Sequence, residues 1–404
     1  MGMLTYTFRL YPTKAQERAL LDMFERCRVL YNAALQERRD GFKRGIKINR
    51  KIQEHELTEI KNTENSGYNE IHTHILQDVI TRLDLAFKSF FRRVKSGEKP
   101  GYPRFRSFGM YNSFKLKDIK HNNGFSIVAG GKRIKVSGIG KIKVKMHRAM
   151  HGAMRQAIIK LDGDNHWCVK IICDNQKQPE IIKIPKKPVG IDIGIKTLLA
   201  CSDGTIFENI KPLKQLEDRL AKAQRALSRK QCGSNRRKTQ KLIVAKIHTK
   251  IRNIREDYLH KVSRIIVDRY DFVGLEDLNV KEMIESSTGK SLTKGICDIA
   301  PSSFIIKTLY KAGNAGILCL LVDPKNTSKK CSCCGNIKKE LKLSDRIYKC
   351  EKCGLIMDRD LNAAKNILSL ALKKFWDCLQ SQEFGARAEP AQMEFARSPY
   401  PNAL

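Results

Sequence analysis

Two cysteine pairs, Cys331-Ser-Cys-Cys334 and Cys350-Glu-Lys-Cys353, stand 15 residues apart and constrain the fold around them more than any other feature of this chain. A C-x-x-C unit turns the backbone so that both sulfurs face one point. Two such units at this separation close a tetrahedral four-cysteine site around one structural zinc ion. Gly335 and Gly354 follow the pairs at the same offset, where the backbone has to turn. Nearby lysines (Lys329, Lys330, Lys338, Lys349 and Lys352) are expected to lower the thiol pKa values, and metal binding completes the deprotonation. All four corners are protein ligands, so the site is expected to be closed and non-catalytic, with Cys333 a bystander. The other eight of the 13 cysteines are scattered. An odd count in a large chain argues against a disulfide scaffold and for a reducing compartment, where such residues serve mainly as small buried hydrophobes.

The second constraint is charge. Lysine and arginine number 77 against 42 aspartates and glutamates, a formal net charge of +35 over 404 residues. The excess is not a tail, since basic residues run from Arg9 to Lys374. A compact body this cationic repels itself unless a polyanion neutralises it. With 41 % hydrophobic residues the chain can still build cores, which excludes disorder as a reading of the whole. A membrane surface is the competing anion. The longest clean apolar run, 316–322, is far short of the ~20 residues that span a bilayer. The first residues contain no signal-peptide core, and Tyr6 stands where a myristoylation signal needs Ser or Thr. The expectation is a cytoplasmic, nucleoid-associated protein with a nucleic-acid partner and no membrane.

Hydrophobic periodicity divides the chain. A strand over 4–10 precedes a helix from Lys14, with Ala19, Leu20, Met23, Phe24, Cys27, Leu30 and Tyr31 at three- and four-residue steps. A second helical run covers 71–94 and ends in the basic, turn-rich stretch that holds Arg104 and Arg106. From 113 to 187 the period becomes two. Ile134 and Val136, then Ile142, Val144 and Met146, alternate with Arg133, Lys135, Lys141, Lys143 and Lys145. This predicts a small barrel with one basic face, and Tyr102, Phe105, Tyr111 and Phe114 are candidates to stack on bases. Residues 188–209 read as two strands joined at Ser202-Asp203-Gly204. A helical hairpin follows over 211–270, broken at Cys232-Gly-Ser-Asn235, with 18 basic and 5 acidic residues around an apolar seam. A strand over 271–278, a polar loop, a helix around 303–312 and a strand over 316–322 complete the pattern. The last 25 or so residues have a disordered composition.

Within this cationic chain a few acids stand out. Asp192 lies inside the apolar Gly190-Ile-Asp-Ile-Gly194, where a carboxylate is costly to bury without a cation or several donors. Glu276, with Asp277 beside it, ends a second apolar strand. Asp358-Arg-Asp360 opens a helix straight after the second cysteine pair, and an aspartate there can simply be a cap. Carboxylates in an anion-binding groove are unfavourable unless hard cations such as Mg²⁺ or Mn²⁺ neutralise them. Two such ions roughly 3.5–4 Å apart cleave phosphodiesters by activating water and stabilising the leaving oxygen. His72-Thr-His74, with no strand around it, reads as ordinary surface histidines rather than a transposase site.

The order of these motifs resembles the TnpB family of transposon-encoded RNA-guided DNA nucleases, related to type V CRISPR effectors. The matching residues are Gly190-Ile-Asp-Ile-Gly194, the basic hairpin, Gly274-Leu-Glu-Asp-Leu278, the two cysteine pairs and Asp360-Leu-Asn-Ala-Ala364. Phe8-Arg-Leu-Tyr-Pro12, Lys99-Pro-Gly-Tyr-Pro-Arg-Phe105, Leu227-Ser-Arg-Lys230, Leu259-His-Lys261 and Thr327-Ser-Lys-Lys-Cys331 extend the match over residues 4–372. The resemblance implies a multidomain α/β fold. An RNase H-like (RuvC) core would occupy 188–321 and 357–372, with a zinc ribbon at 322–356. A wedge-like β-barrel (1–10 and 113–187) would be interrupted by a helical recognition lobe (11–112), and 373–404 would form a tail. The implied catalytic, metal-binding carboxylates are Asp192, Glu276 and Asp360, the last preferred to Asp358 by the family's Asp-x-Asn-Ala-Ala pattern. They would hold two Mg²⁺ or Mn²⁺ ions, and Cys331, Cys334, Cys350 and Cys353 the zinc. Partners would be a guide RNA from the transposon end and double-stranded target DNA beside a short flanking motif, bound by a monomer in the ribonucleoprotein. Candidate nucleic-acid contacts are Arg104, Arg106, Lys141, Lys143, Lys145, Arg229 and Lys230. Met357 departs from relatives, many of which carry a polar residue there. Alternatives are a compact type V CRISPR effector and a nuclease-dead guided repressor; against the repressor, all three carboxylates are present.

Overall fold

The computed structural model describes residues 3–63, 67–117, 119, 124–174, 184–287, 289–341 and 345–383. They fall into two units, Met1–Lys177 and Gln178–Leu404, each taken by itself below.

The first unit contains β1 (Met3–Tyr11), α1 (Lys14–Lys43), α2 (Arg50–Asn62), α3 (Thr73–Lys95), β2 (Ser113–Lys117), β3 (Phe125–Val128), β4 (Arg133–Val136), β5 (Gly140–Lys145), β6 (Ala153–Leu161) and β7 (Trp167–Asp174). Its strands form one antiparallel sheet in the order β2-β6-β7-β1-β5-β4-β3. Tyr6, Phe8 and Leu10 of β1 alternate inward, as the period of two requires. Helix α1 opens with a capping box between Thr13 and Gln16 and buries Leu20, Phe24, Cys27 and Leu35 in the same core as the strands. The sheet curls, and Leu116 of β2 fills the space beside Gly124 at the start of β3. Among the described residues, however, no hydrogen-bonded pairing joins β2 to β3.

Three features of this unit differ from the sequence reading. Helix α2 was not expected, because its apolar positions are sparse and it buries only Gln53 and Leu57. Tyr111 and Phe114 are core residues rather than stacking platforms: Phe114 is fully buried against Phe24, and Tyr111 lies beneath the Arg82 guanidinium. Tyr102 and Phe105 do remain exposed. The His72 ring has a structural task, accepting a hydrogen bond from the His74 amide at the start of α3.

The second unit contains β8 (Pro188–Ile193), β9 (Thr197–Cys201), β10 (Ile206–Glu208), α4 (Pro212–Ser228), α5 (Asn235–Arg269), β11 (Phe272–Glu276), α6 (Val280–Glu285), α7 (Lys290–Ile299), α8 (Pro301–Ala315), β12 (Leu318–Val322), β13 (Ile347–Lys349), β14 (Ile356–Asp358) and α9 (Arg359–Glu383). Five strands make a sheet in the order β10-β9-β8-β11-β12. The hairpins β8-β9-β10 are antiparallel, whereas β8, β11 and β12 run parallel. A parallel pair needs a covered crossover. The hairpin α4–α5 lies on the connection from β10 to β11, and α6–α8 connect β11 to β12.

Residues 188–209 thus give three strands, not two, and the polar loop before residue 303 contains the short helices α6 and α7. Within the hairpin, Leu220, Ala223, Ile247 and Ile251 form the seam, while Ile243 and Ile265 point outward. The proposed tail is partly helical. Helix α9 continues to Glu383 because Ile367, Ala371, Phe375 and Leu379 recur every four residues against Phe272 and Val322. The rest of that tail, 384–404, lies outside the described residues.

Helix α9 reaches the sheet through two glycines. Gly190 of β8 and Gly274 of β11 are directly paired. A Cβ on Gly190 would lie 2.2 Å from the Ala364 carbonyl oxygen and 2.5 Å from the Leu368 nitrogen. One on Gly274 would lie 2.7 Å from the Ala371 methyl. The helix backbone therefore rests almost directly on the strands, through Ala364 and Ala371. Gly190→Ala has helix backbone rather than a movable side chain to displace. It should lower the free energy of unfolding by about 1–3 kcal/mol or more, the usual range for overpacking. Gly313→Ala, a helical glycine with nothing within 4 Å of its missing Cβ, should be neutral or stabilising by about 1 kcal/mol. Denaturant unfolding of both variants checks the contrast.

Candidate metal centre and nucleic-acid surfaces

The parallel register places Leu275 opposite Ile191, so Asp192 and Glu276 are the next residues on two adjacent strands. Helix α9 packs over both strands and carries Asp360 in its first turn. Glu276 is buried, Asp192 is partly buried, and Asp277 turns outward while its amide donates to the Val322 carbonyl. Asp358 is committed elsewhere: its Oδ1 accepts from the amides of Asp360 (2.8 Å) and Leu361 (3.1 Å), capping α9. That leaves the Asp360 carboxylate free of the capping duty that the sequence could not assign.

Asp192 feels both of the other carboxylates. Burial first, then the charges of Glu276 and Asp360, push Asp192 up to about 8. Burial raises Glu276, opposed by a hydrogen bond from Thr327. Burial and the neighbouring Asp358 raise Asp360, against Arg346, Arg359 and Lys196. Hard oxygen donors whose charged forms burial disfavours suit divalent cations. The three are nonetheless not drawn into a single tight cluster. Among the described residues, the one group of three or more potential ligands whose donor atoms all lie within 4.8 Å of one another is the cysteine quartet.

In that quartet the Sγ atoms of Cys331 and Cys353, and those of Cys334 and Cys350, lie 3.6 Å apart. Four sulfurs at ~2.3 Å from a central zinc ion would be separated by about this much. The two knuckles repeat one geometry. The Gly335 amide donates to the Cys331 carbonyl and the Gly354 amide to the Cys350 carbonyl, with both glycines at positive φ. Cys331 and Cys350 are buried with Tyr348, and Cys333 is exposed outside the group. The Cys350 thiol is lowered to about 6 by the backbone amides of Cys353 and Lys352. The sequence reading credited lysine charges; the turn itself, by aiming N–H groups at the sulfur, does this.

The basic candidates lie on exposed faces. Lys141, Lys143 and Lys145 project from β5 between buried Ile142 and Val144. Their cross-strand partners are also basic: Lys135 faces Lys141, Arg133 faces Lys143 and Arg9 faces Lys145. Like charges directly opposite destabilise a sheet. No ion pair relieves Arg133, Lys135, Lys141, Lys143 or Lys145 among the described residues, so this face keeps its positive charge uncompensated within them. Arg104 is exposed in the loop after α3, whereas the Arg106 guanidinium already lies over the Tyr31 ring. Arg229 and Lys230 sit at the turn of the helical hairpin, where Arg237 holds the Leu227 and Lys230 carbonyls.

Sequence reasoning missed the roles of three buried polar residues between Glu276 and the first cysteine pair: Thr327, Asn362 and Asn366. The two asparagines, four residues apart on the otherwise apolar face of a helix, were the available signal.

Residues 170–287 match the OrfB_IS605 family, described as "Probable transposase". Residues 302–367 match a "Cas12f1-like, TNB domain" and residues 1–47 a "Helix-turn-helix domain". The chain is 30 % identical to the "Putative RNA-guided DNA endonuclease" of Streptomyces pristinaespiralis, over 91 % of this chain and 89 % of that protein. It is 29 % identical to the "Putative RNA-guided DNA endonuclease InsQ" of Escherichia coli (strain K12), over 90 % and 91 %. Among solved structures it is similar in fold, with TM-score 0.54 and 14 % identity, to the protein of a Cas12f1-sgRNA-target DNA complex, covering 90 % of this chain and 98 % of that one. Over 1–47 the elements seen are the strand β1 and the single long helix α1.

Two outcomes are expected. Asp192 binds its proton up to about pH 8 in the folded protein but only to 3.8 ordinarily. Its contribution to stability is therefore full below pH 3.8 and lost as pH rises toward 8. Metal-free protein should lose thermal stability over that window, and Asp192→Asn should flatten the loss; a wild-type slope in the variant would contradict the assignment. Cys350→Ser should lower bound zinc, read by elemental analysis, and destabilise the C-terminal part of the chain.

Proposed function

Because the chain belongs to the TnpB family of transposon-encoded RNA-guided DNA endonucleases, we propose that it cuts DNA selected by a guide RNA, through one metal-dependent, RuvC-like site built from Asp192, Glu276 and Asp360. The observation that supports this reading is that Glu276 of β11 and Asp360 of α9 both lie near enough to Asp192 of β8 to raise it, in a chain of net charge +35. The sheet order supports an RNase H-like core, with an antiparallel β8-β9-β10 meander beside parallel β11 and β12. The cysteine quartet is assigned to one structural zinc ion.

Bound at the carboxylates, divalent cations would polarise the phosphodiester, generate hydroxide from water and neutralise the leaving oxygen. The protein's own residues prepare the place. The backbone contact of α9 with Gly190 and Gly274 sets the height of Asp360 above the strand ends. The Asp358 cap fixes the first turn that carries Asp360, and Thr327 holds one oxygen of Glu276. Arg346, Arg359 and Lys196, near enough to lower Asp360, offer positive charge to a DNA backbone entering the site. The paired basic residues of β4 and β5 are suited to the guide RNA or its duplex with DNA. Their contacts would be to phosphates, which leaves sequence to be read by base pairing.

Asp192→Ala and Glu276→Gln should each abolish cleavage of a guide-matched DNA in Mg²⁺ while guide and target binding persist. Binding by gel shift and cutting on the same samples test this. Cleavage at the wild-type rate by either variant would remove the residue from the site.

A further inference from the structure

The residues between the two centres form one continuous connection. Thr327 is buried, 3 % exposed, and its Oγ1 lies 2.5 Å from Glu276 Oε1 and 3.0 Å from the Pro324 carbonyl. A hydroxyl has one proton to give, and the carboxylate is both nearer and the stronger acceptor. The same residue's carbonyl accepts from Asn366 Nδ2 at 2.8 Å. Asn366 Nδ2 also donates to the Lys330 carbonyl at 2.6 Å, as does Asn362 Nδ2 at 2.8 Å. Asn362 Oδ1 accepts the Ser332 amide at 2.9 Å, immediately after the ligand Cys331. The Tyr348 hydroxyl, two residues before Cys350, donates to the Lys329 carbonyl. Segment 327–332 is thus held by side chains from α9 and β13. Its first residue touches a carboxylate, and its fifth is a corner of the cysteine quartet.

We propose that Thr327 is a positioning residue for Glu276, held in place by the Asn362–Asn366 clamp, so that the cysteine centre fixes the geometry of the carboxylate centre. The proposal rests on the reading of Glu276 as a metal ligand. Thr327 occupies Oε1 and fixes the plane of the carboxylate, which leaves Oε2 to face a cation. Orienting partners of this kind are worth about 10–100-fold in metal affinity or activity when removed. The cysteine centre then has a role beyond the stability of its own loop, since its knuckle anchors the strap on which Thr327 sits. Asn362 and Asn366 clamp that strap and take no part in the chemistry, although they share a helix with Asp360.

The test uses the full chain with its guide RNA and three variants. Thr327→Val keeps the shape and removes the donor, Thr327→Ser keeps the donor, and Glu276→Gln is the reference. Three quantities are read: Mn²⁺ affinity by calorimetry, single-turnover cleavage at saturating target, and zinc content. Thr327→Val should weaken Mn²⁺ binding and slow cleavage by about 10–100-fold, with zinc content and target affinity unchanged. Thr327→Ser should recover most of both losses. Wild-type Mn²⁺ affinity and rate in Thr327→Val, with Glu276→Gln inactive, would overturn the positioning role and leave the carboxylate site standing. An active Glu276→Gln would instead overturn the reading beneath it. Equal losses in the Val and Ser variants, or loss of zinc in Thr327→Val, would mean that Thr327 serves packing alone and would also overturn the proposal. Asn366→Ala with zinc retained should reproduce the Thr327→Val loss of Mn²⁺ affinity; wild-type affinity there would overturn the clamp.

Discussion

The approach of helix α9 to the paired glycines Gly190 and Gly274 is the contact on which the rest of the second unit depends. A helix normally stands off a sheet by the length of the side chains between them. Here the missing Cβ atoms let the Ala364 carbonyl and the Ala371 methyl settle onto the strand backbones. That proximity brings a helix N-terminus to the level of the strand ends, with Asp360 near enough to Asp192 to raise it. It also delivers Asn362 and Asn366 to the segment leading into the first cysteine pair. One steric condition therefore underlies the carboxylate centre, the clamp and the seating of the cysteine centre.

Electrostatics then divides the labour. The molecule keeps its positive charge on faces where it has no internal use, as in the cross-strand pairs of β4 and β5. It gathers a few acids whose charged forms burial disfavours, and at Asp192 the charges of Glu276 and Asp360 add to that. Both arrangements cost stability in the protein alone, and both are relieved by partners of opposite sign. In the proposed function a polyanion would answer the first and divalent cations the second. The combination is what a DNA-cutting site needs, because the scissile backbone must be attracted while the groups that bind catalytic ions stay anionic.

Much of this was legible in the sequence because it rests on short-range rules. The C-x-x-C spacing, the alternation in β4 and β5, and the three- and four-residue steps of α1 and the α4–α5 hairpin each carry their own signature. The acids were legible as residues out of place, and Gly190 and Gly274 were visible inside their motifs. The structure adds the reason for those glycines, which is a contact with a helix about 100 to 180 residues away that no local pattern encodes. The same limit explains the misreadings. Tyr111 and Phe114 looked available for stacking because aromaticity does not reveal exposure. Helix α2 lacked a clear apolar stripe, and residues 373–383 were judged by composition although Phe375 and Leu379 continue the stripe of α9. Thr327 was quoted for its motif without a role, since its partner Glu276 lies 51 residues earlier.

The most direct measurement is cleavage by the protein purified with whatever RNA accompanies it, after that RNA has been sequenced. A discrete structured RNA ending in a variable segment is expected. In Mg²⁺ the complex should break a DNA that matches that segment and leave an unmatched DNA of the same composition intact. Equal cutting of both DNAs, or an accompanying RNA that merely samples the cell's transcripts, would contradict the account.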